Sequence, residues 1–273
     1  MSADLGAESA GRAPGRARLV GRRVLVVGAG TRASDDPAAP VGNGRAISVL
    51  AAREGATVAA ADLDAASAQE TAELARAEGA EAVVLVADVS DAAACERLVL
   101  DAVDSMGGLD GVVVNVGIGR GRRMGGTTIE EWDAVVAVNL RAHFAVARAA
   151  LPVLDPGSSL VFIGSVAGLR PGTNIPAYDA SKAGLAGLMR HVAMEAAPAA
   201  RANLVVPGLI DTPLGRLASA GRPARATVPL PLGRQGTAWE VAYAAVWLLS
   251  AESAYVTGQQ LVVDGGLTWG GGG

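Results

Sequence analysis

Tyr178 and Lys182 stand four residues apart in Ala177-Tyr-Asp-Ala-Ser-Lys182, and the spacing predicts the opening of a helix in which both side chains share one face. A phenol titrates at about 10 when unperturbed. An ammonium beside it favours the phenolate, so the pair suits proton transfer inside a closed site near neutral pH. Ser165 lies thirteen residues upstream, at the end of the apolar run Ser158-Ser-Leu-Val-Phe-Ile-Gly-Ser165. That run reads as a buried strand, whose C-terminal end faces the crevice where open α/β sheets place their ligands. A tyrosine and a lysine at this spacing also occur as an ordinary surface pair, so the surrounding elements decide between the two readings.

Those elements are legible as an alternation. Strand-like runs at 23–28, 57–61, 82–87, 111–115, 158–164, 201–206 and 260–263 are separated by helical patterns at 44–54, 65–78, 92–106, 129–154, 178–196 and 238–249. Runs without polar alternation predict a parallel sheet covered on both faces, and right-handed crossovers make it a doubly wound, three-layer α/β fold. The 273 residues suit one such domain, and 51% hydrophobic content can fill its core.

A net charge of −4 argues against a general nucleic-acid surface. The single cysteine, Cys95, lies in a helical pattern and has no partner for a disulfide or a thiolate metal cluster. His143 and His191 are far apart in helical patterns, so no metal site is expected. Residues 1–18 are Ala/Gly-rich, with arginines at 12, 16 and 18 and no apolar core, which argues against a secretory signal. We expect them to be a loosely ordered tail before a single domain at 19–273, with a frayed end at 270–273. No stretch reads as long and apolar enough to span a bilayer, and a soluble cytoplasmic protein is the expectation.

Directly after the first strand comes Gly28-Ala-Gly30, then Gly42-Asn43-Gly44 at the opening of a helix, then Asp62 at the end of the second strand. Strand, glycines, helix and acid in this order are a dinucleotide-binding pattern. Gly28 and Gly30 would permit a tight turn, and Gly42 and Gly44 would let the helix start close to phosphates with its N–H groups toward them. Asp62 can accept from both ribose hydroxyls and would repel a 2′-phosphate, which argues for NAD, with NADP possible if Arg32, Arg45 or Arg53 supplied a compensating base.

From about Arg22 to Thr268 the chain resembles the short-chain dehydrogenase/reductase family. The resemblance implies a Rossmann-type domain with seven parallel strands in the order 3-2-1-4-5-6-7. It implies a tetrad in which Ser165 orients the substrate oxygen, Tyr178 is the acid/base, Lys182 lowers the tyrosine pKa and holds the nicotinamide ribose, and Asn139 in Val138-Asn-Leu140 completes a proton relay. The family's second glycine follows the first by four residues, whereas here it follows by fourteen, implying an insertion of ten residues within 31–41. Asp88-Val89 matches the pair at the adenine edge. Asn115-Val-Gly117 stands where the family has Asn-Asn-Ala-Gly, with valine replacing the second asparagine. Pro207-Gly208, Ile210 and Thr212 follow the sixth strand, where relatives meet the carboxamide and diphosphate, and 209–234 would be the substrate lid.

The activity implied is NAD(H)-dependent interconversion of a secondary alcohol and a ketone. An NADPH-dependent ketoreductase of the 3-oxoacyl or secondary-metabolism type is the alternative, and a non-catalytic nucleotide-binding protein a third reading. Arg120, Arg122 and Arg123 would attract an anionic substrate or acyl carrier, or would form an ordinary solvated loop. The implied partners are a small-molecule substrate and further copies of the chain in a homotetramer, with neither nucleic acid nor membrane.

Overall fold

The structure, a computed structural model, describes residues 5–34, 36, 38–170, 172–220 and 229–270. Its middle layer is a seven-stranded sheet of β1 (Arg23–Val27), β2 (Thr57–Asp62), β3 (Ala82–Val86), β4 (Gly111–Val114), β5 (Ser158–Ile163), β6 (Ala200–Pro207) and β9 (Gln260–Val263). Every pairing is parallel, and the order β3-β2-β1-β4-β5-β6-β9 is the one the family resemblance implied. The order reverses between β1 and β4, so the loops at their C-terminal ends diverge and open a crevice. Two further strands, β7 (Ile210–Asp211) and β8 (Gly236–Thr237), pair beside it.

The central strands are valine- and alanine-rich because both faces are covered. On one side α1 (Asn43–Arg53), α2 (Ala65–Ala77) and α8 (Ala238–Leu249) enclose Val24, Val26, Ile47, Leu50 and Leu248. On the other, α3 (Ala92–Met106), α5 (Ala142–Ala150) and α6 (Pro176–Ala196) enclose Leu25, Val112, Leu160, Phe162 and Met189. Cys95 is buried in this second core, and burial pushes its thiol up to about 11, leaving a core filler rather than a nucleophile.

The run expected as one helix at 129–154 is divided into α4 (Ile129–Val136), a π-helical turn at Ala137–Arg141, α5 and a short 3-10 turn at Leu151–Val153. Contrary to the expectation from sequence, the combined run has the length and mean hydropathy, 1.3, that a membrane span requires. Half of it is buried inside the fold, and its apolar face serves the sheet. The expected loose tail is also corrected. From Leu5 onward the chain lies on α1 and α8: Ser9 Oγ donates to Glu240, Arg18 pairs with the buried Glu54, and Gly11 packs flat against Trp239. These partners are remote in sequence, which is why a local reading of Ala, Gly and Arg missed them.

Candidate active site and dinucleotide cradle

Helix α6 begins with Pro176, whose fixed φ suits the first helical position, and places Tyr178 and Lys182 on successive turns. The Lys182 ammonium lies 5.9 Å from the centre of the Tyr178 ring. It is buried and donates to the carbonyls of Ile163 at 3.1 Å and Val116 at 3.3 Å. Burial lowers its pKa to about 8, so at neutral pH it remains cationic while held in a weakly solvated place. The Ile163 carbonyl ends β5 and the Val116 carbonyl lies two residues past β4, so the sheet edge and the loop leaving it aim the amine.

Asn139 sits in the π-helical turn, an irregularity frequent at functional sites. Its Oδ1 accepts from the Ile118 N–H at 2.8 Å. Its Nδ2 donates to the Ile118 carbonyl at 2.9 Å and to Ser181 Oγ at 3.2 Å. Ser181 in turn donates to the Tyr178 carbonyl at 2.9 Å. Gly117 lies against the same group: a Cβ there would stand 3.3 Å from Lys182 Nζ and 3.7 Å from Asn139 Oδ1. Ser165 follows β5 and caps a short turn at Val166–Gly168, accepting from the Ala167 N–H at 3.2 Å. That turn presses on α6, since a Cβ on Gly168 would meet the Lys182 carbonyl oxygen at 2.6 Å. The four residues singled out as a tetrad are therefore tied to one corner of the crevice, through β4, β5, α6 and the π turn.

The cradle is built around the end of β1. Gly28 adopts φ +80°, a left-handed turn that favours glycine, and α1 approaches so closely that a Cβ on Gly44 would overlap the Gly28 carbonyl oxygen. Asn115 Nδ2 donates to that same carbonyl at 2.9 Å. Thr31 pinches the base of the inserted loop: its Oγ1 accepts from the Gly42 N–H at 2.9 Å, and its own N–H donates to Ser67 Oγ at 2.8 Å. Gly42 thereby returns beside Gly30, and the four glycines converge despite the insertion.

Side chains of Asp64, Asp91, Thr128 and Thr237 cap α2, α3, α4 and α8, whereas α1 has neither a side-chain cap nor an acid in its first turn. Its free N–H groups, the glycine surface and the buried Asn43 Oδ1, which has no hydrogen-bond partner among the described residues, fit a dinucleotide whose phosphates need donors and whose ribose offers hydroxyls.

At the adenosine side, Asp62 Oδ2 accepts from the Gly30 N–H at 2.8 Å and Oδ1 from the Asp64 N–H at 3.1 Å. Each oxygen retains a second lone pair for a ribose hydroxyl. Arg45 is spent on Glu70 and Thr71, and Arg53 on Glu78 and the Gly11 carbonyl. Arg32 stays exposed at the start of the inserted loop. Asp88 is exposed with its carboxyl held below the usual range by the Ser90 hydroxyl and N–H, and Val89 is half-buried beside it. Across the crevice, Pro207 ends β6, the Gly208 N–H donates to Val263, Ile210 is buried in β7, and Thr212 Oγ1 accepts from Gly215.

Beyond these lies α7 (Pro213–Ala220), within the span expected as a lid; residues 221–228 of that span are outside the described residues. Arg216 on α7 reaches Asp211 at 2.7 Å and, across the crevice, Asp36 of the inserted loop at 2.8 Å. Asp35 and Pro37 are outside the described residues.

Some participants were not anticipated. Ser181, Thr31 and Ser67 are small polar residues whose types carry no signal alone, and only the adjacency of Ser181 to Lys182 could have pointed to it. His143, one turn after Asn139, is wholly buried edge-on to Phe162, and burial, reinforced by the Lys182 charge, holds it neutral. Among the described residues no three His, Cys, Asp or Glu side chains gather to hold a metal ion.

A family model described as enoyl-(acyl carrier protein) reductase matches residues 38–268. A (3R)-3-hydroxyacyl-CoA dehydrogenase of Mus musculus is 36% identical over 262 residues, covering 92% of this chain and 97% of its own. A short-chain dehydrogenase/reductase structure from Burkholderia xenovorans superposes with a TM-score of 0.83 at 38% identity, covering 92% of this chain and 98% of that one. A structure from Agrobacterium tumefaciens, titled as a 2-deoxy-D-gluconate 3-dehydrogenase with bound NADP, gives 0.79 at 34% identity, with coverage of 92% and 98%. The chain belongs to the short-chain dehydrogenase/reductase family. Family and fold support NAD(P)(H)-dependent oxidoreductase chemistry, while the substrates named for these relatives differ.

Proposed function

We propose that this protein interconverts a secondary alcohol and a ketone with NAD(H), using Tyr178 as acid/base. The observation that carries the reading is the buried Lys182 ammonium, bonded to the carbonyls of Ile163 and Val116 and 5.9 Å from the Tyr178 ring. In the oxidative direction the Tyr178 phenolate takes the hydroxyl proton of the alcohol, whose oxygen Ser165 Oγ orients. Lys182 stabilises that phenolate by its charge. Asn139, clamped to both polar atoms of the Ile118 backbone, keeps the path by which the proton returns to solvent. Gly28, Gly30, Gly42, Asn43 and Gly44 would hold the diphosphate, with Asp62 toward the adenosine ribose, Asp88 and Val89 at the adenine, and Asn115 and Gly117 beneath the adenosine side. Pro207, Gly208, Ile210 and Thr212 would line the nicotinamide end. When bound, the nicotinamide supplies the acceptor or donor of the carbinol hydride.

The preference for NAD rests on Asp62, together with the engagement of Arg45 and Arg53 by other carboxylates. A second reading, an NADPH-dependent ketoreductase, draws on the exposed Arg32 and the NADP-bound relative. Calorimetric titration with NADH and NADPH separates the two: tighter NADH binding is expected, and a clear preference for NADPH would reverse the assignment. Turnover against a panel of secondary alcohols and ketones tests the reaction itself.

A further inference from the structure

His143 is a wholly buried ionisable side chain that the proposed reaction does not use. Helix α5 otherwise buries only alanine and valine, at Ala142, Ala145, Val146, Ala147 and Ala150. An apolar side chain would fill the same place without the cost of stripping water from an imidazole. Neither ring nitrogen has a hydrogen-bond partner among the described residues. A neutral imidazole carries one donor and one acceptor, and enclosed polar groups without partners are rare enough to call for a reason.

The ring stands at a junction. Its edge meets Phe162, with 5.6 Å between ring centres and 77° between planes. Phe162 directly precedes Ile163, whose carbonyl holds the Lys182 amine. Burial and then the Lys182 charge keep the imidazole neutral, while the main chain of Val114 and Val138 pulls the other way, as carbonyl oxygens beside an imidazole do. Val114 ends β4, two residues before Val116, the second acceptor for Lys182. Val138 lies in the π turn, directly before Asn139. One imidazole thus backs onto the three stretches of chain that hold Lys182 and Asn139.

The π turn makes the place beside Val138 specific. The Ala142 N–H reaches back five residues to the Ala137 carbonyl. The Val138 carbonyl, its partner in a regular α-helix, is passed over. Moving the wide turn one position along would exchange one N–H between neighbouring carbonyls, and it would rotate the residue it crosses by about 100° about the helix axis. Asn139 is the next residue in line, and its bonds to both polar atoms of the Ile118 backbone depend on its present direction. We infer that His143 is a positioning residue: an imidazole N–H set beside the passed-over Val138 carbonyl fixes the register of the π turn and so keeps Asn139 clamped to Ile118. This rests on the proposed reaction, in which Asn139 keeps the path of proton return, and His143 acts on that path only through Asn139.

Three substitutions in the full chain test this. His143→Leu approximates the side-chain volume and removes both nitrogens, whereas His143→Asn and His143→Gln place an amide N–H near the positions of Nδ1 and Nε2. With NAD and the alcohol the parent oxidises best, kcat of His143→Leu should fall about tenfold, with KM and NADH affinity within about twofold of the parent. The solvent deuterium isotope effect on kcat should rise, because proton return becomes limiting. One of the two amide variants should recover at least about half of the lost rate. Hydrogen exchange read by mass spectrometry should quicken across residues 137–142 in His143→Leu and return toward the parent in the rescuing variant, with no fall in the unfolding midpoint. A lower midpoint, with KM and NADH affinity weakened alongside kcat and no rescue, is the signature of packing alone and would overturn the inference. So would an unchanged kcat and isotope effect in His143→Leu. If His143→Leu does not fold, the amides decide: one retaining kcat while the other loses it supports the inference, and equal rates overturn it. If the parent itself turns over no alcohol or ketone, exchange decides: quickened, amide-restored exchange at 137–142 would retain the register role and reject the reaction, and unaltered exchange would reject the inference.

Discussion

Lys182 is buried, and the enclosure proposed to fit it for chemistry costs the fold stability. Its pKa falls from 10.5 to about 8 because the amine is buried, so below pH 8 folding carries the full cost of enclosing a charge. Between about pH 8 and 10.5 the native amine is neutral while the unfolded one is still protonated. The unfolded state then binds more protons, and stability rises with pH across that window. The cost removed is about 3 kcal/mol at most, less whatever the two carbonyl hydrogen bonds return. We therefore expect Lys182→Met, without cofactor, to be more stable than the parent at pH 7 by about 1–3 kcal/mol and to lose the rise between pH 8 and 10.5. Urea denaturation across pH checks this; equal stabilities with an unchanged pH slope would contradict the buried charge. Tyr178, Lys182 and Ser165 could be picked out as candidates in the sequence because a phenol, an amine and a hydroxyl at those spacings have a chemistry of their own. Ser181 and Thr31 were not, because their roles exist only once α6 meets the π turn and the inserted loop closes.

At the scale of elements, the inserted loop and α7 arise on opposite sides of the crevice and meet through Asp36 and Arg216. Both side chains are about half exposed, so the pair should contribute little to stability, within about 1 kcal/mol. Its expected effect is on motion. Asp36→Ala should leave the denaturation midpoint nearly unchanged and speed NADH release by about two- to fivefold, as lids that gate release do. Stopped-flow NADH fluorescence measures this, and an unaltered release rate would show that the bridge does not restrain α7. The strands were readable because burial on both faces demands unbroken Val, Ala and Leu runs: β2 was expected at 57–61 and spans Thr57–Asp62. Helix interruptions were harder, since the π turn Ala-Val-Asn-Leu-Arg at Ala137–Arg141 contains no glycine or proline to mark it. The two-residue strands β7 and β8 carry no periodicity at all.

For the whole molecule, apolar side chains remain uncovered where the long helices face outward: Ile129 is 71% exposed, Phe144 49% and Met194 79%. At the far edge β9 has one neighbour, β6, and open strand edges invite pairing or cover. We expect a homotetramer, and Phe144→Glu should lower the assembly state; light scattering at micromolar concentration reads both, and a monomeric parent would contradict the expectation. Local sequence could not foretell the docking of residues 5–18, because Ser9 and Arg18 find partners only after α8 and α1 have assembled. The central claim, that one corner of this crevice moves a proton while a carbinol hydride is transferred, is tested most directly by Tyr178→Phe. NADH affinity should be largely retained, while single-turnover alcohol oxidation, on the substrate the parent uses best, should fall by at least about a hundredfold. Near-normal turnover in that variant, with cofactor bound, would contradict the account.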